Sequence, residues 1–201
     1  MIIVLILFFR LVFILPWSRF SSKILNKCKA PRSLLVFLGS GGHTAEMCSL
    51  IPNLSCQFSV IYSIIASGDD LSEHKLQQFA FASSSESHVY RIWRTRDIHE
   101  SLLHSVPKAF VCFLQSLKIL LQTKPQMILV NGPGTCVPIV YAAFILKYLG
   151  LFSTRAIYVE SVCRVSSLSL SAKLVYPVVN ELIVQWPDNN YFGTRFFGKL
   201  T

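Results

Sequence analysis

Residues 34–44 read Leu-Leu-Val-Phe-Leu-Gly-Ser-Gly-Gly-His-Thr, an unbroken apolar run that passes through three glycines into helix-forming sequence. A run of that length and composition is a strand buried on both faces, as in parallel sheets. The glycines mark a tight turn whose backbone lacks a Cβ and so accepts close approach. The turn opens a helix, and bare N–H groups with a partial positive charge at a helix start favour an anion such as phosphate or diphosphate. Ser40, Gly41, Gly42 and Thr44 are therefore candidate diphosphate contacts, and His43 sets a titratable imidazole beside them. The motif lacks the Lys-Ser/Thr of a P-loop and the spacing of a dinucleotide fingerprint. An ordinary strand-to-helix turn with a packed histidine is an equal reading of these residues alone.

The rest of the chain repeats the alternation. Strands are predicted over 33–38, 58–64, 88–93, 127–130, 156–159 and 182–185. Helices are predicted from about Thr44, over 72–82, from Pro107 in a first turn to about Gln122, over 137–149 and over 171–179. Residues 83–87 read as a polar loop. Buried strands separated by helix-length segments imply an α/β domain with a mostly parallel sheet and right-handed crossovers. Ligands of such sheets bind beyond the carboxyl ends of the strands. Four features fall there: the first glycine turn, an arginine cluster, a second turn of Asn131, Gly132, Pro133, Gly134 and Thr135, and Glu160.

Each has a plain and a functional reading. The second turn is an ordinary Pro-Gly turn or a second wall around the same diphosphate, with Asn131 and Thr135 donating hydrogen bonds. Arg94 and Arg96 can clamp phosphate oxygens, or stand in a solvated loop beside Asp97; Arg91 fits the solvated reading better. Glu160 ends an apolar strand, where a carboxylate must be paired, with Arg164 for instance, or functional. His43 can act as a base on a substrate hydroxyl or donate to a phosphate.

The chain has 201 residues, 52% of them hydrophobic and 14% charged, with a formal net charge of +9. So apolar a composition calls for a membrane anchor, a large buried interface, or both. The positive balance favours anionic partners, yet no basic run interleaved with aromatics points to nucleic acid. Residues 1–17 are nearly all apolar and span roughly 25 Å as a helix, against a hydrocarbon core near 30 Å. Arg10 interrupts them at a cost on the order of 2.5–3.5 kcal/mol. Arg19, Lys23, Lys27, Lys29 and Arg32 follow, which orients the domain behind them to the cytosol. The expected organisation is an anchor helix over 1–18, a basic linker over 19–32, and one domain over 33–201. A helix lying in the interface plane competes with the spanning anchor. The helix over 110–121 is apolar over much of its circumference and suits either a bilayer surface or the core. The six cysteines form no C-x-x-C pair and no metal-ligand spacing, so core thiols in a reducing compartment are expected.

Five segments taken together resemble one eukaryotic family. They are 39–47 (Gly-Ser-Gly-Gly-His-Thr-Ala-Glu-Met), 131–135, 158–161 (Tyr-Val-Glu-Ser), 167–171 (Ser-Leu-Ser-Leu-Ser) and 184–187 (Val-Gln-Trp-Pro). The family is the membrane-anchoring subunit of the UDP-N-acetylglucosamine transferase of dolichol-linked oligosaccharide assembly. It is related to the bacterial N-acetylglucosaminyltransferase that completes the lipid-linked peptidoglycan precursor, an enzyme of two Rossmann-like domains in the GT-B arrangement.

The resemblance implies a single Rossmann-like domain, the acceptor-side N-terminal half of a split GT-B glycosyltransferase. A soluble partner chain would bind the donor, UDP-N-acetylglucosamine, with no further cofactor and no metal. The acceptor would be N-acetylglucosaminyl-diphospho-dolichol at the cytosolic face of the endoplasmic reticulum membrane, in N-glycan precursor synthesis. His43 and Glu160 become the catalytic candidates, and Gly132 and Gly134 match the second glycine loop. In the bacterial relatives a His-Glu-Gln segment holds the glutamate, whereas Tyr158 and Val159 precede it here. Residues 189–201 are aromatic-rich and depart from the family pattern. A recruitment subunit without chemistry of its own is the alternative. A self-contained nucleotide-binding enzyme is disfavoured, because the second strand ends in Ala66-Ser67-Gly68, with Asp69 and Asp70 late for a ribose contact.

Overall fold

The computed structural model describes residues 33–55, 57–80, 86–95, 102–189 and 193–200. The expected anchor and linker, together with Arg96 and Asp97, lie outside the described residues. Strands β1 (Ser33–Leu38), β2 (Val60–Ala66), β3 (Glu86–Ile92), β4 (Met127–Asn131), β5 (Arg155–Val159), β6 (Glu181–Val184) and β7 (Arg195–Phe196) form one sheet in the order β3-β2-β1-β4-β5-β6-β7. Every neighbouring pair is parallel. The helices are α1 (Gly42–Ser55), α2 (Asp70–Ala80), α3 (Leu102–Thr123), α4 (Cys136–Tyr148) and α5 (Leu170–Val175).

The period of two along each strand divides the core. Leu34, Val36 and Leu38 pack with Met47, Cys48 and Ile51 of α1 on one face. Leu35 and Phe37 pack with Cys112, Leu120 and Ile139 of α3 and α4 on the other. Chain order reverses direction between β1 and β4, which pair through Leu34–Met127, Leu35–Ile128 and Val36–Leu129. The connections after these two strands leave in opposite directions, which opens a crevice at their carboxyl ends. Both glycine turns stand there.

The predicted elements recur, β2 and α2 with bounds shifted by two residues, and with four further differences. Helix α3 starts at Leu102, so Pro107 lies inside it rather than in its first turn; the missing N–H costs a single early bond, and packing on the sheet carries the helix through. Glu86 and Ser87 belong to β3, paired with Val60 and Ile61 of β2, not to a loop. Helix α5 stops at Val175, because Pro177 has no N–H to extend it. Strand β7 was not expected; it adds to β6 through Ile183–Arg195 and Val184–Phe196. Among the described residues no helix is long and apolar enough to cross a membrane. Helix α3 serves the core with one face and exposes Val106, Phe110, Leu114 and Leu121 on another. Cys48, Cys112 and Cys136 are buried free thiols, while Cys163 is exposed.

Candidate functional site

The first turn is pressed against the second. Gly39 is buried, and a Cβ built there would sit 2.6 Å from Pro133 Cδ, so only glycine lets the two loops touch. Gly41 takes a left-handed φ of +68°. Ser40 and Gly41 are exposed and stand outside the lining of the adjoining cleft, which Gly42 and His43 enter. Thr44 turns the other way. Its hydroxyl donates to the Gly39 carbonyl and lies 2.6 Å from Ser72 Oγ. Ser72 in turn donates to Asp69 Oδ2 at 2.6 Å. The Thr44 side chain thus joins the starts of α1 and α2 and leaves the expected diphosphate set. Asp69 also accepts from the Ser72 N–H at 3.2 Å, which spends it on capping α2.

The second turn carries His43. Gly132 has a φ of +77°, and a Cβ there would overlap His43 Cγ, Nδ1 and Cε1, the last at 2.6 Å. The imidazole therefore lies where a side chain of residue 132 would be. His43 Nδ1 is 2.7 Å from Asn131 Oδ1, and Asn131 Nδ2 donates to Glu46 Oε2 at 2.6 Å. Ser161 Oγ donates to Glu46 Oε1 at 2.7 Å. Asn131 is wholly buried, and both ends of its amide are taken by protein. Thr135 Oγ1 lies 3.0 Å from Thr95 Oγ1 and accepts from the Thr95 N–H at 3.3 Å. Contrary to expectation, neither the Asn131 nor the Thr135 side chain faces outward to donate to a ligand. Gly132 and Gly134 do line the cleft.

Glu160 is likewise buried, with no exposed surface. Its Oε1 accepts from the Ser161 N–H at 3.0 Å and its Oε2 from the Ser169 N–H at 2.8 Å. Gln185 Nε2 donates to its carbonyl at 3.0 Å. The carboxylate is paired, as a strand-end carboxylate must be, but with the backbone of the 160–169 loop rather than with Arg164. Arg164 is exposed and lines the cleft. Arg91 pairs with Glu73 and, at 3.7 Å, with Asp70, which is the solvated reading. Arg94 is half-buried outside the lining, although its neighbour Thr95 is within it.

The cleft has a volume of about 830 Å³. Gly42, His43, Glu46, Ser161 and Arg164 make a polar side. Val106, Ala109 and Phe113 of α3, with Val137 of α4 and Leu174 of α5, make an apolar side. Beneath it, the Tyr158 hydroxyl lies 3.0 Å from Ser169 Oγ and donates to the Gly132 carbonyl at 3.4 Å. Burial pushes the Tyr158 phenol and the Cys136 thiol well above their ordinary ranges, so both stay neutral supports of the two loops. Four carboxyl-end segments of the sheet thus converge on one amphipathic cleft. Such a cleft suits a ligand with a polar, anionic head and an apolar tail. Glu46, Ser161 and Arg164 were not singled out as site residues from the sequence. Glu46 had a signal, since it follows His43 by three residues on a helix and so shares its face.

A family model described as "Oligosaccharide biosynthesis protein Alg14 like" matches residues 34–200. The Candida albicans protein named UDP-N-acetylglucosamine transferase subunit ALG14 is 39% identical over 98% of this chain and 92% of its own length. The human protein of the same name is 36% identical over 84% of this chain and 82% of its own. Among solved structures, MurG of Acinetobacter baumannii superimposes with a TM-score of 0.62 at 13% identity, over 83% of this chain and 45% of that one. At that identity the likeness speaks for the fold alone.

Proposed function

Because the chain belongs to the Alg14-like family of oligosaccharide biosynthesis proteins, we propose that it is a subunit of a UDP-N-acetylglucosamine transferase and forms its acceptor side. The observation that carries this reading is the cleft where the two glycine turns meet, with His43 seated at their junction. The reading divides the work between two chains. This domain holds a lipid diphosphate whose sugar bears the attacking hydroxyl. A separate donor-binding chain, without which transfer does not occur, presents UDP-N-acetylglucosamine. The described domain matches 45% of the length of the MurG chain, which agrees with one half of a two-domain enzyme.

In this reading His43 takes the proton of the acceptor hydroxyl, whose oxygen then bonds to the anomeric carbon of N-acetylglucosamine as the bond from that carbon to UDP breaks. The Gly42 N–H at the start of α1 and the Arg164 guanidinium face the acceptor diphosphate. The apolar side leads the first isoprene units away toward the exposed residues of α3. Glu160 holds the 160–169 loop and touches no reacting atom. The acceptor is N-acetylglucosaminyl-diphospho-dolichol, and the complex works at the cytosolic face of the endoplasmic reticulum membrane, held there by residues 1–18.

The test is co-purification of the full chain with its partner from membranes. Transfer is then assayed with UDP-N-acetylglucosamine and the dolichol-diphosphate acceptor. His43→Ala is expected to lower kcat by about a hundredfold or more while partner binding stays intact. Transfer by that variant at the normal rate would leave the chain a recruiting subunit only.

A further inference from the structure

The Asn131 amide joins Glu46 to His43 by hydrogen bonds, and that chain of bonds has a direction. A carboxylate only accepts hydrogen bonds. Ser161 Oγ fills Oε1 at 2.7 Å, and the Cys163 N–H donates to that same hydroxyl at 3.3 Å, which turns the Ser161 proton toward Glu46. Oε2 is left for Asn131, 2.6 Å away. Only the NH₂ end of the amide satisfies it, because the carbonyl end would set oxygen against oxygen. With Nδ2 committed to Glu46, Asn131 Oδ1 faces His43 Nδ1 at 2.7 Å. That oxygen in turn accepts only, so Nδ1 must carry a proton. The neutral ring then has its lone pair on Nε2.

Gly132 completes the device. A Cβ there would stand almost equally close to Cγ, Nδ1 and Cε1, so it is the face of the imidazole that covers the glycine, which leaves the ring edge at Nδ1 to Asn131. Among the described residues Nε2 has no hydrogen-bond partner. Neither of the remote groups is near His43 in sequence: Asn131 is 88 residues away, and the Glu46–Ser161 bond spans 115. The arrangement is assembled by the fold.

We infer that Glu46 is a positioning residue: acting through the Asn131 amide, it decides which nitrogen of His43 carries the proton and so keeps Nε2 free to accept one. For the activity this rests on the proposed role of His43, but for the proton's place it does not.

The test has two readouts. The first is the ¹⁵N spectrum of the histidine ring nitrogens in the full chain in detergent micelles, which reports the tautomer directly. The second is kcat of the complex. Wild type is expected to show His43 as the Nδ1–H form. Glu46→Gln keeps an acceptor for Asn131, and its NH₂ can donate to the Ser161 oxygen once that hydroxyl turns its proton to the open cleft; it should retain that tautomer, with kcat within about threefold. Glu46→Met has nearly the same shape and no acceptor. It should move a large share of the proton to Nε2 and lower kcat several-fold with little change in KM, while the signals of His74 and His88 stay in place. A Glu46→Met chain that still holds His43 wholly as Nδ1–H overturns the inference. So does a Glu46→Gln chain that loses the tautomer as Glu46→Met does. Should His43→Ala transfer normally while the tautomer responds as stated, the catalytic reading of His43 fails and the role of Glu46 in placing the proton stands.

Discussion

Gly132→Ala tests the seating of His43 on the second turn. The backbone there has a φ of +77°, and a Cβ in the left-handed region costs about 1–2 kcal/mol. The added carbon would also stand 2.6 Å from His43 Cε1 and closer to two further ring atoms, so the ring must swing away. Leaving Asn131 then forfeits a hydrogen bond of about 0.5–1.5 kcal/mol. Together these lower stability by roughly 1.5–3.5 kcal/mol, or roughly 3–14 °C in the melting temperature of a domain of this size. The effect on transfer should be larger than the effect on folding, since a displacement near 1 Å at a reacting group can cost about a hundredfold. Gly68→Ala supplies the control. Its φ is +79° and its Cβ would meet nothing within 4 Å, so it pays only the backbone term and keeps its kcat per folded molecule. Melting curves and kcat of both variants, each co-purified with the partner chain, make the comparison. If Gly132→Ala transfers at the wild-type rate, or if both variants lose activity equally, His43 is not held in a working position by that glycine.

Three further outcomes follow from the same geometry. Glu160→Ala strips the acceptor from the Ser161 and Ser169 N–H groups; it should destabilise the chain by about 2–4 kcal/mol, read by thermal melting, whereas His43→Ala, which forfeits the one bond to Asn131, should cost about 0.5–1.5 kcal/mol. Cys163 is an exposed thiol in the cleft lining, and Cys48, Cys112 and Cys136 are buried, so peptide mass analysis after alkylation at neutral pH should find Cys163 modified before those three and protected by the lipid diphosphate acceptor, with equal rates in its presence and absence counting against the cleft as its site. Burial raises the Cys112 thiol from 9.0 to about 11 and that of Cys136 further still; below about pH 9 the folded and unfolded chains hold these protons alike, and above it the unfolded chain sheds them first, so each thiol should subtract about 1.4 kcal/mol per pH unit, partly offset by Lys147, whose ammonium burial disfavours, and a denaturant midpoint that stays level from pH 9 to 11 would contradict the burial.

Local pattern set most of the frame. Continuous apolar runs such as 34–38 and 127–130 announced strands buried on both faces, and the helix-length segments between them required parallel crossovers. Parallel strands all end on one side, so the glycine turns, the arginine cluster and Glu160 were expected on one rim; of that cluster, Arg94 stands outside the cleft lining and its neighbour Thr95 within it. The type of residue at Gly39 and Gly132 was legible too, as turns needing no Cβ. What those glycines make room for was not: Gly39 admits Pro133, and Gly132 admits the ring of His43.

The direction of each polar side chain lay beyond the sequence. Thr44 reaches Ser72, 28 residues on, and Thr135 reaches Thr95, 40 residues back; both were expected at a ligand and both close the protein's own hydrogen bonds. Glu160 was read as a catalytic or arginine-paired carboxylate and proved to cap backbone N–H groups of the loop it begins. A buried polar atom must find a partner, and composition can say that one exists. Which partner it is depends on groups brought from distant strands to the same crevice: Glu46 shares the helix of His43, and only the pairing of β1 with β4 set Asn131 between them.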